Sequence, residues 1–274
     1  MESKKIIVTG VSGQIGSFMV DFLLENTPHE VVGAIRRTSQ IIDSHFKKHL
    51  DNPKFRLIHF DLCDPNSITN TIKNEKPDYF INLGAQTFVA DSWDAPSLHF
   101  QTNALSVLHI LEAVRNHCTQ CRVYSSGSSE QFGDVDYSPQ DIKHPFKPRS
   151  PYGASKAAAH NIVKVWRESY NLYAIQGILF NNESARRQDY FVTRKITKGV
   201  ADIFWKDSIG DEFKPLQLGN LEAKRDWSDA EDFVDGIWKM LNQEKPKEYV
   251  LASGETHTIR EFVETAFAYA GYGV

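Results

Sequence analysis

Cysteine is scarce in this chain: Cys63, Cys118 and Cys121 are the three it has among 274 residues. A small, odd number excludes a disulfide framework as the source of stability. Cys118 and Cys121 form a C-x-x-C, but no second pair and no histidine pair follows at zinc-ligand spacing. The plainer reading is two small residues where a helix runs into a strand. Long apolar runs are also missing, and none approaches the ~20 residues needed to cross a bilayer. No sign of charge is in strong excess. Lys and Arg number 31 against 35 Asp and Glu, a net charge of -4, which leaves no basic face for nucleic acid. Met1-Glu2-Ser3-Lys4-Lys5 leads directly into Ile6-Ile7-Val8, too short and too early for a signal peptide, so the cytoplasm is the expected compartment. Internal repeats, low-complexity tracts and proline-rich linkers are absent as well.

What is present is a chain long enough for one large α/β unit or two small domains, with 41% hydrophobic residues to build a core. Short apolar runs at 6–8, 31–35, 55–60, 79–83, 122–125 and 174–180 predict buried strands. Amphipathic stretches at 16–25, 67–74, 103–116 and 151–170 predict helices between them. Alternation at this spacing predicts an α/β fold, a doubly wound parallel sheet of Rossmann type. The rhythm breaks after Phe180, where polar and basic residues run through Arg225. A further strand at 249–253 is able to return to the sheet. The expected division is a dinucleotide-binding domain over 1–180 and 226–253, with a smaller interleaved lobe over 181–225 and 254–274.

The first strand runs into Thr9-Gly10-Val11-Ser12-Gly13-Gln14-Ile15-Gly16. Glycines at this spacing between a strand and a helix let the backbone approach a pyrophosphate, which then sits on the helix N-terminus. The end of the second strand selects the cofactor. An acidic residue there would bind the ribose 2′-hydroxyl of NAD, whereas this chain has Arg36-Arg37-Thr38-Ser39. Two guanidinium forks and a hydroxyl suit a 2′-phosphate and point to NADP, the other reading being a solvated basic turn or a subunit contact. Asp61-Leu62 follows the third strand, where it meets the adenine edge; an N-cap role for Asp61 or Asp64 is the alternative.

Ser150-Pro151 reads as a helix N-cap and first position. Tyr152 and Lys156 then lie one turn apart on one helix face. A lysine charge favours the phenolate, and a tyrosinate is a competent base toward a carbinol that gives up hydride. The strand end Tyr124-Ser125-Ser126-Gly127-Ser128-Ser129-Glu130 lies where ligands bind in such sheets. Ser128 offers a hydroxyl to a sugar oxygen. Glu130 is the unusual residue, because hydride transfer alone needs no carboxylate. It predicts removal of a carbon-bound proton, hence elimination; a helix-start or surface carboxylate is the alternative.

Taken with Gly177-Ile-Leu-Phe-Asn-Asn-Glu-Ser184, Phe191-Val-Thr-Arg-Lys-Ile196, Leu218-Gly-Asn220 and Arg225-Asp-Trp227, these strings resemble the GDP-mannose 4,6-dehydratases of the extended short-chain dehydrogenase/reductase superfamily. The resemblance implies that Ser128, Glu130, Tyr152 and Lys156 are catalytic. It implies an NADP site of Gly10, Gly13, Gln14, Ile15, Gly16, Arg36, Arg37, Ser39, Asp61, Leu62 and Leu83, with Tyr152 and Lys156. It further implies that Asn181, Arg187, Lys195 and Arg225, with Ser128, hold a GDP-sugar, and that the protein is a homodimer or homotetramer. Against the family pattern the chain has Asn182, Ala185, Gln188 and Ser228, which leaves a GDP-heptose or other GDP-hexose open as substrate, and a nucleotide-sugar epimerase or reductase open as the reaction. It also stops at Val274, and is expected to be truncated at that end.

Overall fold

The computed structural model describes residues 2–37 and 45–273. In chain order the elements are β1 (Lys5–Thr9), α1 (Gln14–Asn26), β2 (Glu30–Ile35), β3 (Phe55–His59), α2 (Pro65–Glu75), β4 (Tyr79–Asn82), α3 (Asp91–Asp94), α4 (Pro96–Phe100), a π-helical turn (Gln101–Leu105) and α5 (Ser106–His117). They continue through β5 (Arg122–Ser126), a 3₁₀ turn (Ser129–Gln131), α6 (Pro151–Tyr170), β6 (Ala174–Leu179), β7 (Asn181–Glu183), α7 (Val192–Ser208), β8 (Lys224–Arg225), β9 (Trp227–Asp229), α8 (Ala230–Leu241), β10 (Tyr249–Leu251), β11 (His257–Thr258) and α9 (Ile259–Tyr269).

Two compact units result, residues 1–180 with 230–251, and residues 181–229 with 252–274. The first is built on a seven-stranded sheet in the order β3-β2-β1-β4-β5-β6-β10, and every pairing in it is parallel. Successive side chains of a strand point to opposite faces, and β1 shows the consequence. Ile6 and Val8 join a core with Met19, Leu23, Phe233 and Ile237 of α1 and α8. Ile7 joins the opposite core with Ile68, Ile110, Val114 and Val163 of α2, α5 and α6. All three β1 residues are fully buried, each worth roughly 2 kcal/mol of transfer free energy. An unbroken apolar run is what a strand covered on both faces requires.

Local chemistry sets the helix ends. Asp64 caps α2 by accepting from the Asn66 N–H at 2.9 Å, with Pro65 following at the first position. Ser150 caps α6 by accepting from the Gly153 N–H at 3.0 Å, with Pro151 following. One stretch departs from the sequence pattern. The helix predicted over 103–116 begins earlier, and α4, the π turn and α5 follow one another without a break. Trp93, Leu98, Phe100 and Leu105 are exposed there, while Ser92, His99, Thr102, Asn103 and Ser106 are buried. Polar residues face inward, so the apolar periodicity that marks a helix is inverted.

In the second unit β7 pairs with β9 in parallel, and β8 with β11 antiparallel. A small core of Ile196, Val200 and Ile259 is flanked by Leu216, Trp227, Phe262 and Phe267. Asp226 is buried and ties down the turn after β10: it accepts from Ser253 N–H and Oγ, both at 2.9 Å, and from Gly254 N–H at 2.8 Å.

Candidate functional site

The strand order reverses at β1, which has β2 on one side and β4 on the other. Ligands bind at such a switch point, beyond the carboxyl ends of the strands. Here the loops after β1, β3 and β4 meet. Thr9 Oγ1 donates to Asn82 Oδ1 at 2.7 Å and accepts from the N–H groups of Leu83 and Gly84 at 3.1 and 2.9 Å. Gly10 passes against Leu83 and Gly84, and Leu62 packs over Gly84. Gly13 is the N-cap of α1 and has no side chain to satisfy the first N–H groups of the helix. A Cβ at Gly16 would strike the Gly10 carbonyl, so only glycine lets the helix start so close to the strand end. The result is a backbone cradle at a helix N-terminus, which fits the pyrophosphate of a dinucleotide.

Arg36 and Arg37 follow β2 and are exposed, and among the described residues neither makes an ion pair. Ser39 lies outside the described residues. Asp61 is exposed and its carboxylate accepts from the Cys63 N–H at 2.9 Å; the N-cap of α2 is Asp64.

The end of β5 and the start of α6 carry the candidate catalytic residues. Ser128 caps the 3₁₀ turn. Its Oγ accepts from the Glu130 N–H at 3.3 Å, and its own N–H donates to Gln131 Oε1 at 2.9 Å. That reciprocal cap fixes the turn from which Glu130 projects. Glu130 is half-buried, and among the described residues its carboxylate has no hydrogen-bond or ionic partner. Gly153 brings α6 onto this turn: a Cβ there would lie 2.5 Å from the Glu130 carbonyl oxygen. The residue before Gly153 is Tyr152, so the phenol-bearing turn and the carboxylate-bearing turn are in backbone contact.

Tyr152 and Lys156 are buried. Lys156 Nζ donates to the Ser126 carbonyl at 2.8 Å and lies 5.9 Å from the centre of the Tyr152 ring. Burial pulls its pKa from 10.5 down to about 8. It remains a cation at neutral pH and favours the phenolate beside it. The structure thus brings Ser128, Glu130, Tyr152 and Lys156 to one place.

Two further residues join them, neither marked by a motif. Asn103, in the π turn, donates to the Gln86 carbonyl at 2.9 Å and to Ser155 Oγ at 3.2 Å, and accepts from the Gln86 N–H at 2.9 Å. It holds the loop after β4 to α6, next to Lys156. His99 lies edge-on to Tyr152, ring centres 6.1 Å apart. A spacing signal for either is lacking, because the π turn shifts the helical register.

Within the second unit Asn181 starts β7 and pairs with Trp227, two residues beyond Arg225. Arg225 is exposed, with Nη1 donating to the Lys224 carbonyl at 2.8 Å. Lys195 is exposed in the first turn of α7. Arg187 is held inside: its Nε is 3.1 Å from Glu183, and its guanidinium stacks on Phe191 at 3.4 Å. Glu183 also accepts from Thr193 Oγ1 at 2.6 Å, and burial raises its pKa while Arg187 opposes that shift. Lys195 and Arg225 are therefore exposed, whereas Arg187 is taken up within the unit. Cys118 and Cys121 stand at the turn between α5 and β5, at the amino end of that strand, as free thiols. Among the described residues no metal-binding cluster occurs, and no helix is long and apolar enough to cross a membrane.

Comparison with known proteins adds a family. The family described as GDP-mannose 4,6 dehydratase matches residues 7–274. The chain is 42% identical over 272 residues to the GDP-mannose 4,6 dehydratase of Drosophila melanogaster, covering 96% of this chain and 67% of that protein. It is 44% identical over 278 residues to GDP-mannose 4,6 dehydratase 1 of Arabidopsis thaliana, covering 98% and 75%. Among solved structures, DesIV, a dTDP-glucose 4,6-dehydratase from Streptomyces venezuelae with NAD and TYD bound, superposes with a TM-score of 0.86 at 22% identity, over 98% of this chain and 82% of that one. RMD from Pseudomonas aeruginosa, complexed with NADPH, gives 0.80 at 23% identity, over 99% and 84%. At such identities the structural likeness speaks for the fold.

Proposed function

The chain belongs to the GDP-mannose 4,6-dehydratase family, and on that premise we propose that it converts GDP-mannose to GDP-4-keto-6-deoxymannose with release of water. The observation that carries this reading is the unpaired Glu130 carboxylate, on a turn in backbone contact with the turn bearing Tyr152.

The glycine cradle and the uncapped start of α1 fit a nicotinamide dinucleotide. When bound, it supplies an acceptor for the C4 hydride and a donor that returns a hydride to C6. The chain supplies the proton transfers. Tyr152, as phenolate, takes the proton of the C4 hydroxyl. The Lys156 charge stabilises that phenolate, and Ser128 Oγ orients O4. The C4 ketone acidifies the C5 hydrogen, which Glu130 removes. The same proton passes from Glu130 to the departing C6 hydroxyl, so that water leaves and a C5–C6 double bond remains. Hydride return to C6 and a proton to C5 complete the product, with no net oxidation. Asn181, Lys195 and Arg225 hold the nucleotide and its diphosphate through charge-assisted bonds. We assign the cofactor as NADP, from Arg36 and Arg37 at the end of β2.

Incubation with GDP-mannose and catalytic NADP⁺, followed by mass spectrometry, tests the reading. The expected product is lighter by one water, and NADPH does not accumulate. Stoichiometric NADPH turnover, or an isomer of unchanged mass, would point to a reductase or an epimerase. An unchanged GDP-mannose alongside dehydration of a GDP-heptose would move the substrate and keep the reaction.

A further inference from the structure

Cys118 and Cys121 have no part in the chemistry above, yet the fold sets them side by side. Helix α5 ends at Cys118, and Thr119 and Gln120 form a turn before β5. The Cys121 N–H donates to the Cys118 carbonyl at 2.8 Å and closes that turn. A turn closed in this way brings the α-carbons of its first and last residues within ~7 Å. A disulfide spans α-carbons roughly 4.4–6.8 Å apart. Both side chains also turn to one face: Cys121 lies in the core with Val114, Val123 and Leu172, and Cys118 packs against that same core.

The two thiols differ in reactivity. Cys118 is partly exposed, whereas Cys121 is 1% exposed. A hydrogen bond from Cys121 pulls the Cys118 pKa down, and burial pushes that of Cys121 well up. The thiolate is the reactive form, so an oxidant meets Cys118 first. Cys121 is closed to solvent, but the one atom it has to reach is the Cys118 sulfur. Cys63 stands after β3, at the opposite end of the sheet, with Sγ 3.3 Å from Thr102 Oγ1. Among the described residues no third ligand joins the pair to make a metal site.

We propose that Cys118 and Cys121 are a peroxide-responsive dithiol that closes reversibly to an intrachain disulfide. The Cys118 thiolate attacks one oxygen of hydrogen peroxide and the O–O bond breaks. The departing hydroxide takes up the proton that Cys118 gave up and becomes water. Cys118 is then a sulfenic acid. The Cys121 sulfur attacks the Cys118 sulfur, the S–O bond breaks, and the Cys121 proton leaves with the hydroxyl as a second water. The two thiols lose two electrons, and the peroxide gains them. The pair stands at the amino end of β5, away from Ser126 at its carboxyl end, and is independent of the nucleotide-sugar reading.

The test treats the full chain with equimolar hydrogen peroxide, blocks free thiols with iodoacetamide and digests with trypsin. Cleavage after Arg115 and Arg122 leaves both cysteines on one fragment, residues 116–122. That fragment is expected to be unlabelled and lighter by two hydrogens, and dithiothreitol before blocking restores both labels. Cys63 keeps its label. In Cys121→Ser, Cys118 is expected to stop at the sulfenic acid and to be captured by dimedone. In Cys118→Ser, Cys121 is expected to react about tenfold more slowly than Cys118 does in Cys121→Ser. A parent fragment that keeps both labels overturns the proposal, as does one in which Cys118 runs on to the sulfinic acid with Cys121 still a thiol. A fragment bridged to a second molecule overturns the intrachain bond. Equal rates in the two variants overturn the assignment of Cys118 as the thiol attacked first.

Discussion

Lys156 enters the site as a buried cation with one hydrogen bond, and burial is the whole cause of its lowered pKa. The consequence for stability has a definite sign. The folded value, about 8, lies below the ordinary 10.5. Between those values the unfolded chain binds more protons, so stability rises with pH across that window. Below about pH 8 the folded state carries the full cost of the buried charge, roughly 3 kcal/mol. Lys156→Met is therefore expected to raise the urea midpoint near pH 7 and to flatten its rise toward pH 10. Activity falls in the same variant. For Glu130→Gln the expected loss is about 10²–10⁴-fold in water release, with exchange of the C4 hydrogen into the cofactor preserved. Product mass and a C4-deuterated substrate separate the two steps. Replacing Arg36 and Arg37 together by Ala is expected to weaken NADP⁺ roughly 10–100-fold and to leave NAD⁺ unchanged, as calorimetry of both cofactors would show.

Among the elements, the joint between the 3₁₀ turn and α6 decides how Glu130 and Tyr152 are set relative to one another. Gly153 is what allows the contact, and Ser150 and Pro151 decide where α6 begins. Gly153→Val is expected to part the turn from the helix, at about 1–3 kcal/mol of stability and a larger loss of activity. Thermal melting and water release measured on the same preparation check whether the two losses differ. The stretch α3–α5 was the least legible in sequence. Its exposed apolar and buried polar residues read as the inverse of an amphipathic helix, and the π turn breaks the 3.6-residue period. By contrast β1, β2 and α6 were legible, because β-branched runs and a Ser-Pro cap act locally.

Across the whole molecule the chain leaves its first unit after Phe180 and returns to it at Ala230, then leaves again after Leu251. The second unit has a small core, and Asp226 contributes three hydrogen bonds to it. Asp226→Ala is expected to cost about 2–3 kcal/mol locally. Hydrogen exchange should then quicken at Ser253 and Gly254 and in α9, while β1, β4 and β5 keep their protection. A uniform loss over both units would show them to be one cooperative body.

By itself the sequence determined the parallel sheet and the glycine turn after β1, and it singled out Ser128, Glu130, Tyr152 and Lys156 as candidates, because strand runs, glycine turns and a one-turn helical spacing are short-range properties. Only the tertiary structure decided that Gly153 seats α6 on the Glu130 turn, that Asn103 locks the loop after β4 and that Arg187 is taken up by Glu183 and Phe191. It also set the His99 ring edge-on to Tyr152. Those facts depend on residues tens of positions apart, and no local period or propensity carries information over that distance.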